Sequence, residues 1–141
     1  MSQFENYHET SRHYDLTRVP VGLDIITAAL TRFCAPLDQL TLLDAGCGTG
    51  AYTAALLPYV SRIEAIDLNP SMLAVARKRF TASTNLARVR FQPGSVDAAP
   101  LEDAAVGAVM VNQVLHHLGD GAHTDWVAYR QVFQELYRVL Q

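Results

Sequence analysis

A glycine-rich stretch that follows a short apolar run constrains the fold of this 141-residue chain more than any other feature. Leu40 to Leu43 has the composition of a buried strand, Asp44 ends it, and Gly46, Gly48 and Gly50 follow before a helix-like segment. A strand, a glycine turn and a helix together present backbone N–H groups and the positive end of the helix to a ligand. Glycine suits such a turn because it tolerates positive φ and because a Cβ atom would block close approach of the backbone. The stretch therefore predicts a binding loop.

The spacing of the glycines fits two classes of ligand. Gly46, Gly48 and Gly50 form G-x-G-x-G, whereas Gly46, Gly48 and Ala51 satisfy the dinucleotide fingerprint G-x-G-x-x-G/A. A strand-to-helix turn that binds nothing is a third interpretation. Asp44, two positions before the first glycine, favours a binding role over a simple turn.

A second acidic residue follows the next predicted strand. Residues 62–67 form a short apolar run that ends at Asp67, 21 residues after Gly46 (67 − 46 = 21). An acid about 20 residues beyond the first glycine is placed to meet a pair of ribose hydroxyls. A carboxylate suits that role because it can accept hydrogen bonds from two neighbouring hydroxyls.

Strand-like and helix-like segments alternate along the rest of the chain. Pro20, Asn69 with Pro70, and Thr124 with Asp125 are typical helix starts. The alternation predicts an α/β domain over residues 20–141 with a parallel, doubly wound sheet, preceded by an arm over residues 1–19. The predicted strands are 40–43, 62–67, 87–92 and 106–111, and the predicted helices are 20–33, 51–60, 70–80 and the segment from residue 124 onward.

The sequence predicts which side chains of two helices face solvent or the sheet. Arg77, Lys78 and Arg79 are expected to form the solvated side of the helix that starts at Pro70. The last helix has an apolar stripe that we expect to pack on the sheet. The stripe consists of Trp126, Tyr129, Val132, Phe133, Leu136 and Leu140.

Composition excludes several classes of protein. Half of the residues are hydrophobic, so disorder is not expected, and a net charge of −3 provides no basic surface for nucleic acid. Two cysteines, Cys34 and Cys47, do not make a disulfide framework and indicate a reducing compartment. Residues 1–10 contain no apolar signal core, and the longest charge-free run, 104–119, is too short to span a membrane. We expect a soluble cytoplasmic protein without a membrane partner or a metal site.

Four stretches, taken together and in order, resemble class I S-adenosylmethionine-dependent methyltransferases, most closely the type 11 and ubiquinone-biosynthesis group. They are Leu42–Gly50, Ile66–Met72, Gly94–Val96 and Val111–Leu118. The resemblance, which runs from about Val21 to the end, implies a Rossmann-like sheet with strand order 3-2-1-4 and methyl transfer from S-adenosylmethionine. It also argues against a dinucleotide, because a helix precedes the glycine strand and Asn-Gln-Val-Leu-His-His-Leu follows the fourth strand.

The resemblance implies roles for individual residues on the methionine and ribose side of the cofactor. Asp44 would orient the methionine end, and the backbone of Gly46, Cys47 and Gly48 would face it. Asp67 would hold the ribose hydroxyls.

Further residues would surround the adenine and the cofactor's amino group. Leu68 would pack on the adenine, Gly94, Ser95 and Val96 would flank its rim, and Asn112 would offer its backbone to the amino group. Ser95 departs from the family pattern, which often has an acid beside the adenine amino group. A hydroxyl can still form a hydrogen bond there.

The catalytic demand on the protein is small, because the sulfonium already activates the methyl group and alignment supplies most of the acceleration. His116, ahead of His117, is the candidate for a general base at the carboxyl end of the fourth strand, and a packing or capping role stays open for both. Tyr14 and Arg18 are expected either to fold over the cofactor's carboxylate end or to lie on the surface. Trp126 is assigned to the helix stripe rather than to an acceptor pocket.

The family normally continues into further strands, whereas this chain ends at Gln141. We expect an apolar edge at the fourth strand that favours self-association or a partner.

Three functions are consistent with these observations. The first is a methyltransferase acting on a small-molecule acceptor, whose identity the chain does not specify. The second is a cofactor-binding fragment or pseudo-methyltransferase partner subunit without turnover. The third is a nicotinamide-dependent oxidoreductase.

Overall fold

Four parallel strands form a single sheet in the order β3-β2-β1-β4. The strands are β1 Thr41–Ala45, β2 Arg62–Asp67, β3 Val89–Pro93 and β4 Ala108–Val111. The computed structural model describes residues 19–34, 36–81, 84–118 and 126–140. The strand order and direction confirm the predicted doubly wound α/β fold.

The described residues also contain four helices and three short 3-10 turns. The helices are α1 Leu23–Phe33, α2 Ala51–Leu56, α3 Pro70–Phe80 and α4 Trp126–Val139, and the 3-10 turns are Leu37–Gln39, Thr84–Arg88 and Leu115–His117. Among the described residues, no helix has both the length and the apolar character needed to cross a bilayer.

Local chemistry explains most helix boundaries. Asn69 caps α3 by accepting a hydrogen bond from the Ser71 N–H (2.9 Å), and Pro70 occupies the first turn as predicted. The predicted start of the first helix at Pro20 is wrong, because Gly22 adopts a left-handed conformation (φ 73°) and α1 begins at Leu23. Helix α2 ends at Leu56, earlier than predicted, and Pro58 follows it closely.

The sheet separates two apolar cores, because neighbouring residues of a strand point to opposite faces. On one face, α1, α2 and α3 pack against β1 and β2, with Leu42, Ile63 and Ala65 fully buried. On the other face, α4 packs against Leu43 and Ile66. Each fully buried aliphatic side chain of this kind contributes about 1.5–3 kcal/mol of transfer free energy. Helices on both faces leave the carboxyl edge of the sheet as the open side.

The chain enters β4 differently from the prediction. The regular strand begins at Ala108 rather than at residue 106. Val106 instead forms a parallel bridge with Leu140, and its N–H donates to the Val139 carbonyl (3.0 Å). The end of α4 is therefore attached to the start of β4.

The predicted stripe of α4 divides between two surfaces. Val132 and Leu136 are buried against the sheet, whereas Trp126 and Phe133 are 73% and 55% exposed, so their assignment to the packing stripe is wrong. At 100° per residue the six predicted residues span an arc of about 120°, and the sheet covers only the part of that arc that contains Val132 and Leu136. Tyr137, which is 80% exposed, joins Trp126 and Phe133 on the outer surface.

Several predictions concern residues outside the described ranges. Tyr14 and Arg18 of the predicted arm belong to them, as do the predicted helix-start residues Thr124 and Asp125. The boundary between an arm at residues 1–19 and a domain at residues 20–141 stays a prediction.

Candidate functional site

Asp44 lies at the carboxyl end of β1 and is only 2% exposed. The Thr53 hydroxyl, from α2, donates a 2.6 Å hydrogen bond to its Oδ2. The pKa of Asp44 is raised to about 6. Burial is the main cause, the hydrogen bond from Thr53 partly offsets it, and the charge of Asp67 adds to the rise. A buried carboxylate whose ionised form is disfavoured is stabilised by a positively charged group placed next to it.

Gly46 turns the chain sharply after β1, with φ 82°. Its N–H and that of Cys47 both donate to the Ile66 carbonyl at 2.9 Å, which holds the loop against β2. A Cβ at Gly46 would lie 2.3 Å from Cγ2 of Val114, in the segment that follows β4. Glycine is therefore required here by packing between two parts of the chain.

Gly48 faces a different environment from Gly46. Its φ is 54°, and a Cβ at this position would meet no heavy atom within 4 Å. Its N–H donates to Oδ2 of Asp67 at 2.8 Å. Gly48 therefore marks the open part of the loop, where a ligand can approach the backbone.

Asp67 ends β2 and joins the glycine loop to the start of α3. Its Oδ2 accepts from Gly48, and its Oδ1 accepts from the Asn69 N–H at 2.8 Å. An ionised carboxylate has about four acceptor positions, so capacity remains on both oxygens. The two N–H bonds fix the orientation of the carboxylate in advance of any ligand.

Leu68 is 72% exposed directly beside Asp67. This exposure shows that Leu68 does not belong to the core. A leucine on the surface next to a polar carboxylate can pack against the face of a ring.

The segment after β3 holds the next predicted site residues. The Ser95 hydroxyl donates to Oδ1 of Asp97. Val96 is 8% exposed and packs in the core on the α4 face, so its backbone rather than its side chain is available to a ligand. A Cβ at Gly94 would lie 2.5 Å from Cδ of Pro100, which gives this glycine a packing role.

The segment after β4 brings Asn112 and two histidines to the carboxyl edge. Asn112 is half-buried immediately beyond the strand, and Gln113 adopts a left-handed φ of 55°. The rings of His116 and His117 are exposed and lie against each other, with centroids 3.9 Å apart and planes tilted by 42°. In the described part of the chain, no group of three or more His, Cys, Asp or Glu side chains could hold a metal ion.

Several residues of the site escaped the sequence analysis. Thr53 is a fully buried hydroxyl in a short helix of otherwise mostly small or apolar residues, and this was the available signal. Arg79 is exposed, as predicted, and its Nε also donates to the Thr49 carbonyl at 3.1 Å. Arg77 likewise donates to the Phe91 carbonyl (2.9 Å). Both arginines therefore connect α3 to neighbouring segments.

Tyr52 was missed as well. The Val21 N–H donates to the Tyr52 hydroxyl (3.0 Å), which in turn donates to the Val21 carbonyl (3.2 Å). The hydroxyl ties the segment before α1 to the first turn of α2. The chain on the amino side of Val21 therefore joins the described domain close to the glycine loop.

Comparison with known proteins identifies the family. Residues 43–141 match a family model described as a methyltransferase domain. The chain therefore belongs to the class I S-adenosylmethionine-dependent methyltransferases, which confirms the resemblance and removes the support for a dinucleotide-binding oxidoreductase.

Individual relatives agree with this family. The chain is 35% identical over 107 residues to an uncharacterized methyltransferase-like protein of Schizosaccharomyces pombe, covering 74% of this chain and 36% of that protein. It is 31% identical over 138 residues to the demethylmenaquinone methyltransferase of Clavibacter sepedonicus, covering 96% of this chain and 52% of the relative. The crystal structure of YcgJ from Bacillus subtilis shares the fold, with a TM-score of 0.65 and 24% identity, over 84% of this chain and 47% of YcgJ. The chain thus spans about half or less of the length of these proteins.

Proposed function

We propose that this chain binds S-adenosylmethionine and transfers its methyl group to a small-molecule acceptor. The observation that carries the proposal is the convergence of two carboxylates on one glycine loop. Asp67 bonds to the Gly48 N–H, and the charge of Asp67 contributes to the raised pKa of Asp44. Two neighbouring carboxylates suit a ligand that has positively charged groups and a ribose.

On the methionine and ribose side of the cofactor, the geometry limits which residue can take each role. The N–H groups of Gly46 and Cys47 are donated to Ile66 and that of Gly48 to Asp67, so hydrogen bonding does not distinguish them. We assign the close backbone approach to Gly48, because the space beside its Cα is open whereas that beside Gly46 is filled by Val114. Asp44 would face the positively charged methionine end. Asp67 would accept from the ribose hydroxyls with its remaining acceptor capacity.

On the adenine side, we assign Leu68 to ring packing and the backbone of Val96 to the rim. The Ser95–Asp97 hydrogen bond suggests how this chain accommodates its departure from the family pattern. Asp97 supplies a carboxylate two residues beyond the position where the family often has one, and Ser95 contacts it. Asn112 would offer its backbone to the cofactor's amino group.

The chemical contribution of the chain is mainly orientation. The cofactor, when bound, supplies a methyl group activated by the sulfonium. The residues of the loop fix that group relative to the acceptor, which is the effect that a preorganised site provides. His116 is exposed at the same edge of the sheet and is proposed to take a proton where the acceptor must lose one.

Calorimetric titration with S-adenosylhomocysteine, with NADH in a parallel cell, tests the proposal. We expect binding of the first ligand only. Asp67→Ala should weaken it by about 1.5–3 kcal/mol, the scale of lost charge-assisted hydrogen bonds. Asp38→Ala is the matched control, because it removes an exposed carboxylate from the turn that precedes β1, at the opposite edge of the sheet. An unchanged affinity of Asp67→Ala would contradict the ribose assignment, and binding of NADH alone would contradict the proposal.

His116→Ala should leave the affinity for S-adenosylhomocysteine within about twofold of the original while reducing methyl transfer to an acceptor that must be deprotonated, by roughly 10²–10⁴-fold. His117→Ala is the control, because the two rings lie against each other and share the turn. A large loss of cofactor affinity in His116→Ala would show that the residue supports the turn rather than the chemistry.

The second function, cofactor binding without turnover, is separated from the first by a transfer assay with methyl-labelled cofactor and a panel of small acceptors. Binding without transfer to any acceptor would favour a partner subunit. We also propose that the edge of β4 contacts another polypeptide. The cytoplasmic location stays a prediction.

A further inference from the structure

Two hydrogen bonds join consecutive residues of the glycine loop to opposite ends of α3. The Gly48 N–H donates to Oδ2 of Asp67, which lies just before the helix begins (2.8 Å). The Thr49 carbonyl accepts from Nε of Arg79, in the last turn of the helix (3.1 Å). The position of the loop is therefore set by contacts at both ends of α3.

A third hydrogen bond connects these two contacts within the loop. The Gly50 N–H donates to the Cys47 carbonyl at 2.9 Å. This carbonyl belongs to the same peptide group as the Gly48 N–H. The Gly50 N–H, in turn, belongs to the same peptide group as the Thr49 carbonyl. Because a peptide group is planar, hydrogen bonds to both its oxygen and its N–H fix its orientation.

The three hydrogen bonds form one chain that is charged at both ends. It begins at the Asp67 carboxylate, passes through the two peptide groups and ends at the Arg79 guanidinium. Both peptide N–H groups point toward the anionic end, and both carbonyls point toward the cationic end. Hydrogen bonds aligned in this way polarise one another, and bonds to charged groups are the stronger ones. The charge of Arg79 therefore favours the hydrogen bond between Gly48 and Asp67.

Packing brings the last turn of α3 against the loop. A Cβ at Gly50 would lie 3.1 Å from Cβ of Ala76 and 3.6 Å from Cε2 of Phe80, and both of these α3 residues are buried. Arg79 is exposed beside them, so its guanidinium reaches the loop without the cost of burying a charge. The close contact between helix and loop explains why a side chain of this turn meets a loop carbonyl.

We propose that Arg79 is a positioning residue for cofactor binding. Its guanidinium acts through the hydrogen-bond chain on the Gly48 N–H, and so on Asp67, without entering the site itself. This role rests on the proposed function, in which Asp67 accepts from the ribose hydroxyls. The alternative is that Arg79 acts only as a positive charge near the loop, which the neighbouring Lys78 would do as well.

Calorimetric titration with S-adenosylhomocysteine tests the proposal on Arg79→Met, which keeps a long side chain but removes the charge and the donors. We expect the dissociation constant to rise roughly 2- to 10-fold, the equivalent of one net hydrogen bond. Lys78→Met is the matched control, because it removes the same charge from the adjacent exposed residue of the same helix turn. It should leave the dissociation constant unchanged. An equal rise in both variants would overturn the proposal.

A double-mutant cycle determines whether Arg79 acts through Asp67. In the Asp67→Ala background the chain has lost its anionic end, so Arg79→Met should have little further effect on the dissociation constant. A full effect of Arg79→Met in that background would contradict the proposed route. Urea unfolding of each variant verifies that the affinities are compared between folded proteins.

Nuclear magnetic resonance of the ligand-free protein provides a readout that does not require the cofactor. An amide proton resonance moves upfield when its hydrogen bond weakens. We expect the resonances of Gly48 and Gly50 to move upfield in Arg79→Met and to keep their positions in Lys78→Met. Unmoved resonances in Arg79→Met would refute the chain. Moved resonances in a protein that does not bind S-adenosylhomocysteine would support the chain and contradict the proposed function.

Discussion

Replacing Gly46 by alanine is expected to lower the free energy of unfolding by about 2–5 kcal/mol. The new Cβ would lie 2.3 Å from Cγ2 of Val114, and the backbone φ of 82° is unfavourable for any residue with a Cβ. Both effects act at the junction between β1 and the segment after β4. A backbone shift that relieved the clash with Val114 would therefore have to come from a residue whose φ is already unfavourable. Urea unfolding followed by circular dichroism measures the change through the transition midpoint.

Variants of two further glycines separate the effect of the clash with Val114 from the effect of the positive φ. Gly22→Ala has a similar φ of 73° with no heavy atom within 4 Å, so it measures the cost of the conformation alone, about 1–2 kcal/mol. Gly48→Ala is equally unobstructed, but its methyl group would occupy the open part of the loop. We expect Gly48→Ala to lose affinity for S-adenosylhomocysteine with a modest loss of stability. Equal stability losses in Gly46→Ala and Gly22→Ala would refute the role of Val114.

Asp44→Asn is expected to stabilise the protein in the absence of cofactor at neutral pH. Burial raises the pKa of Asp44 from 3.8 to about 6, so the folded state binds the proton more tightly than the unfolded state does. The associated stability is fully present below pH 3.8 and is lost as the pH rises through 6. Above that pH the ionised carboxylate costs up to about 3 kcal/mol, since one pKa unit corresponds to about 1.4 kcal/mol. Asparagine avoids this cost because it does not ionise.

The measurement is the free energy of unfolding between pH 4 and 8 for both proteins without ligand, with S-adenosylhomocysteine affinity recorded at pH 7. We expect the advantage of Asp44→Asn to grow with pH up to about pH 6–7 and then to level off. The affinity should fall, because the carboxylate that faces the positive end of the ligand is gone. Asp38→Asn, which changes an exposed acid near the other end of β1, is the control. A destabilised Asp44→Asn at pH 7 would mean that the carboxylate supports the fold.

Features that depend on residues close together in the chain could be predicted from the sequence. The strand that ends at Asp67 was predicted with its observed bounds, because an apolar run there meets an Asn-Pro helix start. The order of the strands followed from the family resemblance. The same reasoning placed Asp44, Gly48 and Asp67 at one edge, where the structure brings Asp67 into contact with Gly48.

Features that depend on distant residues were beyond sequence reasoning. Arg79 is exposed, as predicted, but its hydrogen bond to a carbonyl 30 residues away could not be predicted from the neighbouring residues of the helix. Gly46 and Gly48 looked equivalent, and only the position of Val114 separates a packing glycine from an open one. The whole apolar stripe of α4 was predicted to pack on the sheet, and the periodicity could not show which of its residues the sheet would cover.

The hydrogen bond between Asp67 and Gly48 also bears on the order in which the molecule folds. It joins two successive strand–turn–helix units, because the acceptor ends β2 whereas the donor follows β1. The first unit cannot complete its loop by local contacts alone, since closing the chain over the intervening residues costs entropy before the bond forms. The loop therefore acquires its final shape only when β2 has docked beside β1. Protection of the Gly48 amide during refolding reports the moment when the protein becomes competent to bind.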